Sequence, residues 1–360
     1  MKTSRKIALR VGVLMLLLSL LLPFLPNADA ASLYTVKSTT SKTLAPGITQ
    51  TIKTATYSDD TRPVKYYITT ADINRSDVMV LNGYKDNNPS YNNYVSATVD
   101  KQIIASEKVH QDPSNPRYIE NYRVVAACNG GFFNIPSISG IEGVSGAHIM
   151  EGVQYWPYDG RPFMAILKDG SAVIGAGTSD WNKYREHMWE AISGNVLLVN
   201  KGANNTGNVD EDKAFGGQEA DKLGTKRHPR TCVGITKDGK VVMMVIDAQS
   251  TASAGTRGGA TLNEAAQMLI DAGCYYAINM DGGGSSTYLT KAEGETTPTL
   301  VNVPSGGSMR AICGSLLFAS VAPTDNLSFE FDGTGSQKYH YRTHLYIRRS
   351  ALHIQSDCLA

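Results

Sequence analysis

The sequence has almost no net charge, and this absence limits the partners it can have. Lysine and arginine number 34 against 33 aspartate and glutamate, which leaves a formal net charge of +1 over 360 residues. A protein that follows a nucleic-acid backbone needs a basic excess along one face or segment. The composition therefore predicts no nucleic-acid partner.

Cysteine is sparse and has no metal-binding spacing. None of the 5 cysteines belongs to a C-x-x-C pair, the spacing typical of zinc sites. Four of them lie in or beside apolar, strand-like runs, where a cysteine is more often a small buried side chain: Cys128, Cys232, Cys274 and Cys313. We expect buried thiols, although an exported chain would also permit disulfides.

Long hydrophobic runs are absent after the first 25 positions. Basic residues in the first ten positions precede an apolar run over residues 11–25, and Ala28-Asp29-Ala30 fits a signal-peptidase site. A membrane-spanning helix needs ~20 apolar residues, so an uncleaved anchor is the weaker alternative. The pattern predicts a signal peptide over residues 1–30, a secreted or cell-wall-associated protein and no membrane span in the mature chain.

Several familiar catalytic motifs are also missing. The chain contains no H-E-x-x-H, G-x-S-x-G or P-loop pattern, which removes support for zinc-protease, serine-hydrolase and NTPase chemistry. Residues 208–219 resemble a calcium loop, but Lys213 stands where that loop needs glycine. We therefore expect no metal and no cofactor.

Alternating apolar and polar residues dominate the first third of the chain. The runs at 48–57, 64–73 and 77–86 predict successive strands of one antiparallel sheet, after a Ser- and Thr-rich linker over residues 31–45. Residues 46–120 are thus expected to be β-rich. Further along, Asp169-Gly170 and Lys237-Asp238-Gly239 each separate two alternating runs and predict hairpins, the first with a type I′ turn.

The clearest helix is predicted over residues 261–273. Thr261 and Glu264 form a T-x-x-E capping box, and Gly273 supplies the stop. Apolar, strand-like runs flank this helix, which makes residues 241–280 a βαβ unit with two parallel strands. We therefore expect an α+β fold with a mixed, β-rich sheet core and a few helices.

Two carboxylates follow the strands of this unit. Asp247 and Asp281 come directly after them, and a third strand-like run, residues 123–128, ends at Asn129 before two glycines. Ligands of open sheets with parallel strands bind beyond the carboxyl ends of the strands. If these strands are neighbours, the three polar residues share one crevice.

The segment 281–286 has the composition of an anion site. Three glycines in a row are more than a turn needs, and successive N–H groups in such a loop form a concave nest for anions. The segment reads Asp281, Gly282, Gly283, Gly284, Ser285 and Ser286. A plain turn is the alternative.

Cationic residues elsewhere could complete such a site. His228 and Arg230 lie in "KRHPRTCVG", which is either a solvated charge cluster or a phosphate clamp, because arginine offers a planar fork of donors. Arg310 precedes an apolar strand and joins the site only if that strand reaches the same crevice. Glu264 is expected to serve as the capping partner rather than in catalysis.

Together, five segments of the chain resemble the phosphodiester glycosidase family. They are "NGGFF" at 129–133, "RHPRTCVGI" at 227–235, "VMMVIDAQ" at 242–249, the stretch from 258 to 289 that contains "MDGGGSS", and "VNVPSGGSMR" at 301–310. The resemblance assigns residues 121–321 to a catalytic domain. The sequence changes character after about Val321, which predicts a linker and a poorly ordered tail over residues 322–360.

The resemblance implies hydrolysis of an N-acetylglucosamine-1-phosphodiester on the sugar side, which releases the sugar and leaves a phosphate monoester. The implied site residues are Asn129, His228, Arg230, Asp247, Asp281, Gly282, Gly283, Gly284, Ser285 and Arg310. One departure matters: Asp247-Ala248-Gln249 stands where the family usually has Asp-Gly-Arg.

An oxocarbenium-like state needs a nearby carboxylate, so Asp281 is expected to act as nucleophile or as base, with Asp247 second. His228, also a candidate catalytic residue, is expected to hold the phosphate together with Arg230, Arg310 and the glycine-rich loop. The amide of an N-acetyl sugar could replace that nucleophile. The expected partner is a sugar-phosphate molecule or a cell-wall glycopolymer. A metal-dependent phosphodiesterase with Asp247 and Asp281 as ligands, or a wall-binding module without catalysis, would also fit the residues.

Overall fold

The computed structural model describes residues 32–90, 94–134, 142–208, 225–248 and 258–323. The predicted signal peptide, the tail from residue 324, Gln249 and nearly all of the calcium-like frame lie outside these ranges. Within them, no helix is both long enough and apolar enough to cross a membrane.

The described chain is rich in strands and contains three α-helices, which confirms the α+β fold. The helices are α1 (Val99–His110), α2 (Gly177–Tyr184) and α3 (Leu262–Asp271). The strands are β1 (Tyr34–Ala45), β2 (Ile48–Tyr57), β3 (Val64–Ala71), β4 (Val78–Gly83), β5 (Arg123–Asn129), β6 (Phe133–Asn134), β7 (Gly143–Val144), β8 (His148–Met150), β9 (Val153–Trp156), β10 (Phe163–Leu167), β11 (Ala172–Gly175), β12 (Met188–Ser193), β13 (Val196–Asn200), β14 (Ala203–Asn204), β15 (Arg230–Thr236), β16 (Val241–Ile246), β17 (Cys274–Asn279), β18 (Tyr288–Thr290), β19 (Thr299–Leu300) and β20 (Ser315–Ser320).

The strands form one large sheet and three smaller ones. The large sheet has eight strands in the order β1-β2-β3-β16-β15-β17-β13-β14. One five-stranded sheet has the order β19-β18-β5-β20-β4, another has the order β11-β10-β12-β8-β9, and β6 pairs with β7. Neighbouring strands in these sheets run antiparallel.

The core lies on both faces of the large sheet. Along β16, Val242 and Met244 face the cluster that contains α3, whereas Met243 and Val245 face the cluster shared with β5 and β20. A strand covered on both faces needs apolar residues at every position. This is why "VVMMVI" shows no alternation. On the far side of β5 and β20, α1 closes the structure.

Helix α3 confirms its predicted caps. The Thr261 hydroxyl accepts a hydrogen bond from the Glu264 N–H at 3.1 Å, and the Glu264 carboxylate accepts one from the Thr261 N–H at 2.8 Å. Gly273 follows the helix with φ 87°, a left-handed conformation that glycine adopts without steric cost.

The strands on either side of α3 are parallel to each other but are not neighbours. Both β16 and β17 pair antiparallel with β15, which lies between them. The hairpin from β15 to β16 fills this position before the chain enters α3. The carboxyl ends of β16 and β17 therefore reach the same sheet edge, separated by the width of one strand.

Two predictions about the first strands are wrong. Residues 34–45, predicted as linker, form β1, which pairs with β2 along its length. Threonine is β-branched and favours strands, and Gly47 with φ 75° permits the tight turn that joins the pair. The third predicted strand, β4, leaves the large sheet and pairs with β20. Its apolar residues fit either sheet, so alternation could not assign it.

The two predicted hairpins form, but their turns have three residues. Gly170 and Gly239 have φ 84° and 86°, whereas Asp169 and Asp238 are not in the left-handed region. A type I′ turn needs positive φ at both central residues, which is costly for aspartate. The predicted type I′ geometry is therefore wrong.

Candidate active site

Asp281 and Asn129 bring the ends of two sheets together. Asp281 follows β17 of the large sheet, and Asn129 ends β5 of a smaller one. The Asn129 amide donates to the Asp281 carbonyl oxygen at 2.7 Å, and the Asp281 N–H donates to the Gly130 carbonyl oxygen at 3.2 Å. The shared crevice predicted from the strand ends thus contains these two residues.

Protein groups occupy all the hydrogen-bonding positions of the Asn129 side chain. Besides Asp281, its amide donates to the Gly130 carbonyl at 3.2 Å, and its oxygen accepts from the Thr231 hydroxyl at 2.6 Å and the Thr287 N–H at 3.1 Å. The side chain is fully buried. Two donors and two acceptor positions are the limit for asparagine. Asn129 therefore positions the turn after β17 and presents no polar atom to a ligand.

The turn from Asp281 to Ser286 does not form the predicted anion nest. The N–H of Gly282 donates to the Asp281 carboxylate at 2.9 Å, and the N–H of Gly283 donates to the Pro229 carbonyl at 2.8 Å. The N–H groups of Ser285 and Ser286 close a short 3₁₀ turn onto Gly282 and Gly283 at 3.0 and 3.3 Å. Most amides of the turn are therefore used internally, and anion attraction falls to side chains.

Each glycine of this turn meets a different steric requirement. A Cβ on Gly282 would lie 2.7 Å from the Pro229 carbonyl oxygen, and one on Gly284 would collide with the Arg310 guanidinium. Gly283 has φ 59°, which side chains disfavour. Close packing at Gly282 and Gly284 and the positive φ of Gly283 thus explain the three successive glycines without an anion-binding nest.

Arg310 joins the same turn from the other side. Its guanidinium Nη1 donates to the Ser285 hydroxyl oxygen at 3.2 Å, although the arginine itself is exposed. Ser285 is fully buried beneath it and hydrogen-bonds the Asp281 carboxylate. The strand that follows Arg310 does reach the crevice, which was the condition for including this residue.

The pKa of the Asp281 carboxyl is shifted toward neutral pH. Burial raises its pKa from 3.8 to about 6, because the ionised form loses hydration. Hydrogen bonds from Ser285 and the Gly282 N–H, and the positive charge of Arg310, lower the pKa and offset part of this effect. A carboxyl poised in this way can give or take a proton near pH 6, or attack as a nucleophile above it.

Asp247 reaches the same edge but faces different partners. Its two carboxylate oxygens accept hydrogen bonds from the Tyr67 hydroxyl at 2.9 Å, the Asn302 amide at 3.0 Å and the Val303 N–H at 3.2 Å. The side chain is buried, and burial raises its pKa while these donors lower it. Its link to the Asp281 turn runs through Asn302, which also donates to the Ser286 carbonyl at 3.0 Å.

The Arg230 side chain is buried and donates hydrogen bonds to backbone carbonyls of the protein. It is buried in β15, where Nε donates to the Ala260 carbonyl at 2.8 Å and Nη2 donates to the Lys226 carbonyl at 3.1 Å. The phosphate clamp predicted here therefore loses its arginine. A buried guanidinium needs partners for its donors, and here two backbone carbonyls accept from it.

His228 lies beside the turn through its backbone. It forms an antiparallel bridge with Ala260, with N–H to oxygen distances of 3.2 and 2.9 Å. The next residue, Pro229, accepts the hydrogen bond from Gly283. His228 is half-buried and follows Arg227, which forms ion pairs with Glu264 and Asp59. The charge cluster around His228 is thus in part a structural ion-pair network.

Three polar residues of the site escaped sequence analysis: Thr231, Tyr67 and Asn302. Thr231 and Asn302 lie inside the segments that resemble the family. For Thr231 the available signal was a polar residue on the buried strand β15, whereas Asn302 lies outside the strands. Tyr67 carried no signal, because its partner is 180 positions away in sequence. In the ranges that the structure describes, no group of three or more His, Cys, Asp or Glu residues is placed to hold a metal ion.

Comparison with known proteins identifies the family. The family model described as phosphodiester glycosidase matches residues 122–319, which includes every residue assigned above to the Asp281 turn and its supports except Tyr67. The chain belongs to the phosphodiester glycosidase family. The match contains Asn129, Asp247, Asp281 and Arg310.

Individual relatives are distant. N-acetylglucosamine-1-phosphodiester α-N-acetylglucosaminidase of Bos taurus is 28% identical over 193 residues, which are 50% of this chain and 32% of the bovine protein. The chain thus matches about a third of that relative's length.

Solved structures share the fold of this chain. The zebrafish enzyme of the same name, described as a catalytic domain auto-inhibited by its pro-peptide, superposes with a TM-score of 0.53 at 22% identity. The match covers 81% of this chain and 90% of that one. A hypothetical protein from Synechocystis gives a TM-score of 0.57 at 12% identity, over 82% of this chain and 65% of its own.

Proposed function

We propose that this protein is an exported hydrolase that cleaves a glycosyl-1-phosphodiester on the sugar side. The observation that carries the proposal is the contact chain from the Asp281 carboxyl through the Ser285 hydroxyl to the Arg310 guanidinium. A carboxylate and a cation thus lie on the two sides of one buried hydroxyl, which supports the proposal. A sugar-1-phosphate offers a group for each.

The chemistry follows from the charge of the leaving group. When the bond between the anomeric carbon and the bridging oxygen breaks, the bond electrons leave with that oxygen and a phosphate monoester departs as a stable anion. The sugar carbon becomes oxocarbenium-like and needs a nearby negative charge. Asp281 supplies it, either as nucleophile or as the base that deprotonates water.

Arg310 is suited to the phosphate. It is exposed, and its planar guanidinium keeps donors beyond the one directed at Ser285. An N-acetyl group on the sugar could instead supply its amide oxygen as nucleophile, with Asp281 orienting the amide. In both routes Arg310 binds the phosphate and Asp281 acts at the sugar, although its role there differs.

The substrate class and location belong to this proposal. The signal-peptide pattern over residues 1–30 supports export, and the bovine relative's name supports an N-acetylglucosamine-1-phosphodiester as the probe. A cell-wall glycopolymer with sugar-1-phosphate linkages is a natural substrate class that fits an exported protein.

An isotope experiment tests the bond that is cleaved. The protein without residues 1–30 is incubated with an N-acetylglucosamine-α-1-phosphodiester in ¹⁸O-water, and mass spectrometry locates the label. We expect ¹⁸O on the sugar and none on the phosphate. Label on the phosphate would instead indicate a phosphodiesterase, and loss of that activity with a chelator would assign it to a metal.

The control separates catalysis from binding. Asp281→Asn keeps the size of the side chain but removes the nucleophile or base, so we expect it to bind the substrate and to release no product. If neither the unmodified protein nor this variant releases product while both bind the polymer, the protein is a binding module.

A further inference from the structure

Asn302 connects the buried Asp247 to the turn that carries the candidate carboxylate. Its amide donates to the Asp247 carboxylate at 3.0 Å and to the Ser286 carbonyl at 3.0 Å, and its oxygen accepts from the Tyr288 N–H at 2.7 Å. The side chain is 4% exposed. Both acceptors need a donor, so the orientation of the amide is fixed by its surroundings.

Asp247 is occupied by protein donors on both carboxylate oxygens. Oδ1 accepts from Asn302 and Val303, and Oδ2 accepts from Tyr67 and Val303. A carboxylate used in this way holds the start of the segment 302–310 in place. It offers little to a substrate, because exchange of these donors for a ligand would strand buried polar groups.

Both ends of the segment 302–310 form hydrogen bonds with the turn from Asp281 to Ser286. At one end Asn302 binds the Ser286 carbonyl, and at the other Arg310 binds the Ser285 hydroxyl. Ser285 in turn hydrogen-bonds the Asp281 carboxylate. Between the two ends most of the segment is exposed, apart from Pro304 and Met309: Val303 is 71% exposed, and a Cβ on Gly306 or Gly307 would meet no atom within 4 Å.

We propose that Asn302 is a positioning residue for Asp281 and that Asp247 acts through Asn302 rather than on the substrate. Asp247 fixes Asn302, and Asn302 fixes the backbone at Ser286. The turn then presents the Ser285 hydroxyl to Asp281 and Arg310. This assignment rests on the proposed function for its kinetic readout, but it also has a readout that needs no substrate.

Asn302→Ala tests the first link. Loss of the donor to Ser286 releases the turn and weakens the hydrogen bond from Ser285 to Asp281. We expect kcat to fall at least about tenfold with KM changed less than about threefold, a loss of ~1.4 kcal/mol in the transition state alone. Arg310 is the charged group acting on Asp281 and is retained, so the Asp281 pKa rises and the acid limb of the rate profile moves to higher pH.

Exchange of the side chains at positions 247 and 302 separates an effect on the position of the turn from an effect on the stability of the fold. Asn302→Asp alone sets two carboxylates against each other. The double variant Asp247→Asn with Asn302→Asp restores a hydrogen bond between the two side chains but leaves no donor for Ser286. We expect its Tm to recover most of the loss while kcat stays low. This pair keeps the test decisive if Asn302→Ala fails to fold.

Asn82 supplies the matched control. It is equally buried, and its amide also donates to two oxygens, the Ile149 and Ala191 carbonyls at 2.7 and 2.8 Å. Asn82→Ala should lower Tm without moving the pH profile or the ratio of kcat to KM.

The readout without substrate is the ¹³C NMR titration of the Asp281 carboxyl. A shift to higher pH in Asn302→Ala and none in Asn82→Ala supports the proposal. Unchanged titration and kcat in Asn302→Ala, or equal shifts in both variants, would overturn it. If the unmodified protein hydrolyses no phosphodiester, the proposed function fails and the titration still decides the role of Asn302.

Discussion

The side-chain amide of Asn129 lies 2.7 Å from the carbonyl oxygen of Asp281, 152 positions away in sequence. This hydrogen bond ties β5 of a small sheet to the end of β17 in the large one. The crevice therefore exists only when both sheets are formed and packed, and its integrity reports on the whole fold.

Asn129→Ala should impair both stability and activity. It removes the Asn129 partner of the Asp281 carbonyl, the Thr287 N–H, the Thr231 hydroxyl and the Gly130 carbonyl in a buried place. We therefore expect a loss of about 2 to 4 kcal/mol in unfolding free energy, measured by urea denaturation. Hydrolysis should fall with it, because the turn loses its anchor. Asn204→Ala, which removes exposed hydrogen bonds to Asn263, should cost about 0.5 kcal/mol or less. Equal losses in the two variants would contradict this role for Asn129.

The titration of Asp281 predicts a pH dependence of stability. Its folded-state pKa of about 6 exceeds the ordinary 3.8, so the fold favours the protonated form. The stability linked to this group is fully present below pH 3.8 and is lost as the pH rises through 6. Asp281→Asn removes the cost of the buried charge. We therefore expect this variant to be more stable than the unmodified protein at pH 8 and equal to it at pH 3.5.

The same group predicts the shape of the rate profile. A nucleophile or base must be ionised, so kcat/KM should fall on the acid side with a midpoint near pH 6. A rate that rises as the pH falls from 7 to 5 would show that Asp281 works as an acid instead.

Arg310→Ala should weaken substrate use and shift this midpoint. The variant loses a phosphate ligand, for which we expect a drop of about 10- to 100-fold in kcat/KM, or ~1.4 to 2.8 kcal/mol. It also removes the positive charge that lowers the Asp281 pKa, so the acid limb should move to higher pH. Arg185→Ala is the control, since that arginine is 53% exposed and pairs only weakly with Glu186 at 3.3 Å. A normal profile in Arg310→Ala would remove this arginine from the site.

Glycine substitutions test why the turn is so rich in glycine. Gly282→Ala places a methyl group 2.7 Å from the Pro229 carbonyl oxygen, and Gly284→Ala drives one into Arg310. The backbone cannot yield cheaply at Pro229, so Gly282→Ala should lower Tm more than Gly284→Ala, while both reduce hydrolysis. Gly207→Ala, with open space around it, should match the unmodified protein. Full activity in Gly284→Ala would show that the Arg310 guanidinium does not need its observed position.

Local signals explain what the sequence could predict. Helix α3 was found because its start and stop are encoded within a few positions, by Thr261, Glu264 and Gly273. Helix α1 was missed because the face it buries is largely polar. Gln102, Ser106 and Glu107 are all buried there and hydrogen-bonded to other segments. Periodicity of apolar residues cannot reveal such a helix.

The same difference between local signals and distant contacts applies to the residues of the candidate site. Asp281 and the glycines stand together in sequence, so their composition was visible. The roles of Arg230, Asp247 and Asn129 depend on partners that the fold brings from elsewhere, such as Ala260, Asn302 and Thr231. Sequence placed these residues at one edge of the fold. It could not tell which of them face a ligand and which face the protein.

The four cysteines of the described chain are buried and form no disulfide among themselves. Burial raises the pKa of the Cys232 thiol to about 12, and it raises that of the other three as well, so the reactive thiolate is scarce at neutral pH. These four thiols should therefore be nearly inert to thiol reagents and oxidants in the folded protein. Because Cys232 and Cys274 lie in the large sheet and Cys128 lies in a small one, labelling becomes fast only when these layers separate. The thiols thus serve as an intrinsic probe of global unfolding, and correct folding needs no oxidising compartment for these residues.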